Sequence, residues 1–136
     1  MAKALVIGAD GNQIESTELS ILSKVQFLTA TSSGTPTPAI NDYHVTNFDL
    51  TALAVDAVFG VPTTTGSMFN HQKLLVRIKD NGTAHALSFN SGAGGYRASS
   101  DLALPTTTIL GKTLYLGFDY NSADGKWDLI ALLNNF

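Results

Sequence analysis

Residues 73–89, KLLVRIKDNGTAHALSF, decide the fold class, because apolar and polar side chains alternate on both sides of an Asn81-Gly82 pair. Asn-Gly suits a type I′ turn, in which both central residues take positive φ. With Asp80 opposite Thr83, Ile78 faces His85, Val76 faces Leu87 and Leu74 faces Phe89, so that five large apolar side chains share one face. The other face holds Arg77, Lys79, Ala84, Ala86 and Ser88, with Leu75 the one apolar exception. A one-residue slip would scatter the apolar set over both faces. The stretch therefore predicts an antiparallel hairpin with one face in a core.

Working toward the C-terminus, residues 113–133, TLYLGFDYNSADGKWDLIALL, predict a second hairpin. Leu114, Leu116 and Phe118 alternate on its first strand, and Trp127, Leu129, Ala131 and Leu133 on its second. Aligning these faces requires a loop of even length, residues 121–124, or a bulge at Gly125. Ile130 and Leu132 occupy the alternate face, which predicts a last strand covered from both sides, by a second sheet and by another element or subunit.

Upstream, residues 29–42, TATSSGTPTPAIND, are small, polar and proline-bearing, as in a linker or long loop. Residues 16–28, STELSILSKVQFL, admit either a short helix or a strand, since Ile21, Val25 and Leu28 recur at helical spacing among β-branched neighbours. In residues 43–60 the core candidates are Val45, Leu50, Leu53, Val55 and Val58. Short strands separated by glycine and proline turns predict an all-β protein, an antiparallel β-sandwich of jelly-roll-like form. Its expected divisions are an N-terminal arm over residues 1–24, a linker over 25–38 and a sandwich body over 39–136.

Composition narrows the chemistry. A chain of 136 residues fits one domain and can bury a sizeable core without covalent staples. It has no cysteine, which excludes disulfides, zinc–thiolate sites, iron–sulfur clusters and thiol nucleophiles. Eight basic against eleven acidic residues give a net charge of -3, and no Lys or Arg occurs from Val25 to Gln72, which argues against a nucleic-acid partner. The opening MAKALVIGADGNQ has an apolar core of four residues, too short for a signal-peptide core, and no run approaches membrane-spanning length. The expectation is a soluble protein made in the cytosol.

Catalytic and metal-binding motifs are not in view. His85 falls on the inward face near the turn, where packing against Ile78 and a hydrogen bond at the rim are expected, and His44 and His71 each precede a strand without an H-x-H or H-E-x-x-H partner. Residues 10–15, DGNQIE, start like a calcium loop but lack its later glycine and distal glutamate. Residues 91–96, SGAGGY, carry no phosphate-binding lysine and open no helix. There is no G-x-S-x-G elbow. No catalytic, cofactor or metal residue is assigned. The open possibility is aromatic: Tyr96, Tyr120 and Trp127 lie in or beside the glycine-rich loop and the second turn, where a platform with Asn and Asp donors would suit a glycan. The competing assignment is core packing for Trp127 and Tyr120 and an intersubunit contact for Tyr96.

These same residues carry a likeness. RIKDNGTAHALSF followed by LALPTTTILGKTLYLGFDYNSADGKWDLIALL, about residues 74–133, resembles a C-terminal module of structural proteins of tailed bacteriophages, among them fibre, tail and capsid-associated proteins. LVIGADGNQIE looks like the short N-terminal segments by which virion proteins dock onto a larger particle. The resemblance implies a β-sandwich assembled as a homotrimer, without cofactor, located in the virion and made in the host cytoplasm. It implies anchoring to a major capsid or other virion protein through Leu5, Val6 and Ile7. A capsid decoration or head-fibre protein is the leading expectation; a tail-fibre component or a module binding host surface glycans is the alternative.

Overall fold

The structure, a computed structural model, describes residues 24–136, and strands are the regular elements among them. They are β1 (Val25–Ala30), β2 (Val45–Leu53), β3 (Ala57–Phe59), β4 (Lys73–Asp80), β5 (Leu87–Phe89), β6 (Tyr96–Arg97), β7 (Thr113–Asn121) and β8 (Lys126–Leu133). The all-β class is as the sequence predicts. Leu5, Val6 and Ile7, with the rest of the expected arm up to residue 23, lie outside the described residues.

Six strands form one sheet in the order β1-β2-β4-β7-β8-β6, and β3 and β5 form a second. Both sheets are mixed or parallel where antiparallel pairing was expected: β1 with β2, β2 with β4, β6 with β8 and β3 with β5 all run parallel. The described residues thus form six-stranded and two-stranded sheets rather than the paired antiparallel sheets of a jelly roll. The small layer is widened by extended segments beside it. Val58 and Gly60 donate backbone N–H groups to Gly34 and Pro36, and Leu87 donates to Thr106, each at 2.9 Å. Residues 31–38, expected as linker, are therefore bonded along β3. Pro36 and Pro38 are buried there as acceptors that need no donor of their own.

The hairpin expected over residues 73–89 does not form. β4 lies between β2 and β7, with Val76 opposite Phe48 on one side and Leu116 on the other. β5 has left for the second layer, where Leu87 is paired with Ala57 and Phe89 with Phe59. The cause sits at the turn. Gly82 takes φ 98° while Asn81 stays out of the positive region, so the type I′ geometry is not adopted. The Asn81 N–H goes to the Leu53 carbonyl at 3.0 Å, and the Asp80 carboxylate captures the Gly82 N–H at 3.0 Å. The strand is thereby turned away from itself. The face assignment survives the loss of the partner: Leu74, Val76 and Ile78 are fully buried and Leu87 nearly so, with Phe89 partly buried against them. His85 does not oppose Ile78. It sits among Asn81, at 3.2 Å from Nε2, and Asp56, at 3.7 Å from Nδ1.

The hairpin of β7 and β8 does form, with Tyr120 opposite Trp127 and Asn121 opposite Lys126. Its loop is the even-length residues 122–125, one position later than expected, closing on Gly125 at φ 62°. A register shift follows. Gly117 pairs with Ala131 but Phe118 with Leu129, so Ile130 is the extra residue of a bulge. Beyond it the faces exchange: Leu132 packs on the core, whereas Ala131 and Leu133, expected inside, are exposed.

Candidate functional site

The aromatic trio is drawn together by β6, β7 and β8, but inside the protein. Tyr96 pairs with Trp127 across the parallel β6–β8 contact, and Tyr120 pairs with Trp127 across the hairpin with ring centroids 5.0 Å apart. Trp127 is 0% and Tyr96 1% exposed. The Tyr96 ring packs against Phe118 at 5.0 Å, Phe89 at 5.5 Å and Phe59 at 6.3 Å, and Phe59 stacks on Phe89 at 4.8 Å. Burial pushes the Tyr96 hydroxyl pKa well above its ordinary value. Neither Tyr96 nor Trp127 offers a ring face to a sugar. The glycan platform is replaced by an aromatic core that joins the two layers, and of the three only Tyr120 is partly open to solvent. The glycine-rich loop serves that core: an added Cβ on Gly95 would lie 2.2 Å from the Asn90 carbonyl oxygen, so only glycine allows the close approach that brings Tyr96 inward.

The charged side chains settle into local pairs. On the outer face of the large sheet, Lys73 Nζ donates to Asp119 at 2.7 Å and His71 Nδ1 lies 2.8 Å from the same carboxylate. Partial burial works against ionisation of Asp119, yet the bonds from Lys73 and His71 outweigh it and hold its pKa below the ordinary value. Arg77 pairs with Asp49 on β2. Arg97 grips Asp128 with a fork, Nε to Oδ1 at 2.7 Å and Nη2 to Oδ2 at 3.0 Å, and reaches Asp124 at 2.9 Å. Each is a cross-strand or turn contact between opposite charges. Among the described residues, no group of three or more His, Asp or Glu is placed to hold a metal ion.

Asp80 is different because it is buried. Its Oδ1 accepts the Gly82 and Gly111 N–H groups at 3.0 Å each, and its Oδ2 accepts the Thr108 hydroxyl at 2.9 Å. Burial raises the carboxyl pKa, but these three donors overcome that effect and the net shift is downward. Asp80 is a structural anchor for two loops rather than an acid or base presented to solvent.

Among the described residues, the outer face of the large sheet is left open. The register puts Phe27, Asn47, Leu75, Gly117 and Ala131 in one row across β1, β2, β4, β7 and β8, and Thr29, Asp49, Arg77, Tyr115 and Leu133 in the next. A shallow apolar groove lies where these rows meet the C-terminal Phe136, lined by Leu75, Tyr115, Gly117, Ala131, Leu133 and Phe136. Phe136 packs edge-on against Tyr115 at 5.5 Å. Leu75, the apolar exception of the first stretch, and the doubly apolar sequence of the last strand were the signals of this face. Ala131 and Leu133 were assigned to the wrong side because the bulge at Ile130 has no local sequence mark. Comparison with protein families, curated proteins and solved structures gives no match for the chain.

Proposed function

We propose that the chain is a non-enzymatic structural component of a bacteriophage virion, of the capsid decoration or head-fibre type, held to the particle by its N-terminal segment. The likeness of residues 74–133 to modules of tailed-phage structural proteins supports this reading. The single structural observation that favours it is the outer face of the six-stranded sheet: an exposed surface with a shallow apolar groove suits contact with another protein surface better than enclosure of a small substrate. The charged clusters are spent on joining neighbouring strands, and Asp80 on fastening loops. A glycan-binding role through Tyr96 and Trp127 is not carried forward, since their rings are in the core.

The test is to delete residues 1–23. The cut precedes Lys24 because its carbonyl accepts the His44 N–H at 3.0 Å and its ammonium pairs with Asp42. The expected outcome is a body with an unchanged β-type circular dichroism spectrum that no longer co-sediments with particles lacking the chain, while the full chain does. Full occupancy of particles by the truncated form would remove the anchoring role. Particles identical in electron micrographs with and without the chain would remove the virion assignment.

A further inference from the structure

We infer that the outer face of the six-stranded sheet is an interface between copies of this chain, with a second copy seated on the groove between Leu75, Ala131 and Leu133 and on Ile130 beside it. The proposal goes beyond the virion reading and departs from it in one respect: an isologous contact pairs two copies, where the resemblance implies a homotrimer. Three observations carry it.

The first is the bulge. An uninterrupted β8 would alternate, sending one residue in two to the outside. The extra residue instead leaves Ile130 and Ala131 exposed in succession, and Leu133 follows on the same exposed side. An ideal Cβ on Gly117 would lie 3.3 Å from the Ala131 methyl group and 4.0 Å from Ile130 Cγ1, which places both side chains over the outer face. Ile130 and Leu133 are each 58% exposed, Phe136 64% and Phe27 77%. The bulge thus brings an additional large apolar side chain onto a face that solvation alone would not favour, and Gly117 keeps the floor beneath it low.

The second is charge. On this face Lys73, Arg77 and Arg97 are each joined to a carboxylate on an adjacent strand, Asp119, Asp49 and Asp128, while Lys79, at the end of β4 beyond the groove, has no carboxylate partner among the described residues. A face crowded with unpaired charge of one sign repels its own copy, whereas one with most of its charges paired in place, and its free lysine at the margin, repels it far less. The groove is lined by apolar side chains and Tyr115, with no Asp, Glu, His, Lys or Arg side chain among the lining residues. This is the pattern of a self-complementary patch, as an isologous contact requires.

The third is extent. From β1 to β8 and from Lys73 to Lys79 the face covers about 500 Å² in projection, taking about 4.8 Å per strand and about 3.3 Å per residue. Side-chain relief makes its accessible area larger, of the order of the about 800 Å² per partner that a stable interface buries. Two such faces packed about 10 Å apart would turn each open sheet into the inner layer of a larger sandwich.

Sedimentation equilibrium of the full chain tests this. The wild type is expected at a mass of two chains. Leu133→Lys and Ile130→Lys, at sites exposed in the single chain, are expected to weaken association by about 100-fold or more with unchanged circular dichroism. Val58→Lys, 53% exposed on the other layer, is expected to leave the mass unaltered. A wild type that stays at one chain mass or settles at three, or an assembly indifferent to both Leu133→Lys and Ile130→Lys, overturns the proposal. A single-chain wild type whose β7 and β8 outer-face side chains resist surface labelling would assign the cover to residues 1–23 and would overturn it equally.

Discussion

Trp127→Ala destabilises the folded chain by about 4 kcal/mol, the middle of the range for removing a large buried aromatic. Trp127 has no exposed surface, its backbone N–H donates to the Gly95 carbonyl at 2.9 Å, and it lies between Tyr96 and Tyr120 in the sheet register, with its ring 5.0 Å from that of Tyr120. Truncation would open a cavity where β6, β7 and β8 meet, and the adjoining aromatic rings could collapse into it only in part. Trp127→Phe is expected to cost far less, about 1 kcal/mol, since most of the ring volume is kept. The indole N–H also has no hydrogen-bond partner among the described residues, so its removal offsets part of that cost. Urea denaturation followed by circular dichroism measures both variants. If Trp127 were a surface platform for a ligand, Trp127→Ala would leave stability within about 0.5 kcal/mol of wild type.

Asp80→Asn costs about 3 kcal/mol at neutral pH, because a charge-assisted acceptor of three hydrogen bonds is replaced by an amide that can satisfy only part of the set. The affected donors are the Gly82 and Gly111 amides and the buried Thr108 hydroxyl, so the loss reaches the turn after β4 and the loop before β7 together. The sign of the pH dependence follows from the lowered pKa of the folded carboxyl. The unfolded chain takes up the proton near the ordinary value of about 3.9, ahead of the folded form. The stabilisation by Asp80 is therefore fully present above that value and is lost as pH falls through the folded pKa. The stability difference between wild type and Asp80→Asn should be constant from neutral pH down to about 5 and shrink below about 4. Asp119 titrates in the same direction but is common to both proteins, so the difference isolates Asp80. A difference that grows on acidification would contradict this role.

The sequence was legible where the governing interactions are local. Alternation marked the buried sides of β4 and β7, and the turn chemistry of residues 122–125 marked the β7–β8 hairpin to within one residue. Alternation identifies a face and says nothing about the neighbour, which is why Leu74, Val76 and Ile78 were placed correctly while their partners were not. Parallel pairing is the harder case. It needs a crossover, commonly a helix, and the sequence shows little helical composition. Here the crossovers from β1 to β2 and from β2 to β4 run through extended and irregular chain. The proline-bearing residues 31–38, which read as a linker, are part of one such crossover and bond to β3 on the way.

The face proposed to carry function was legible only as an excess of apolar residues. Leu75 and the run of residues 129–133 announced more hydrophobic surface than one core could take, but side was read by strict alternation. One inserted residue, Ile130, reverses that alternation for the rest of β8. The aromatic trio failed for the opposite reason. A glycine-rich loop beside Tyr96 suggested exposure, whereas Gly95 in fact permits the tight approach that buries the ring.

All of these assignments depend on β4 being a central strand between β2 and β7. A nuclear Overhauser spectrum of the isotopically labelled chain tests that placement directly. The expected result is backbone proton contacts tying Val76 to both Phe48 and Leu116, with none tying it to Leu87. Backbone contacts between Val76 and Leu87, with Leu116 remote from both, would restore the simple hairpin and contradict the sheet, its aromatic core and its open outer face together.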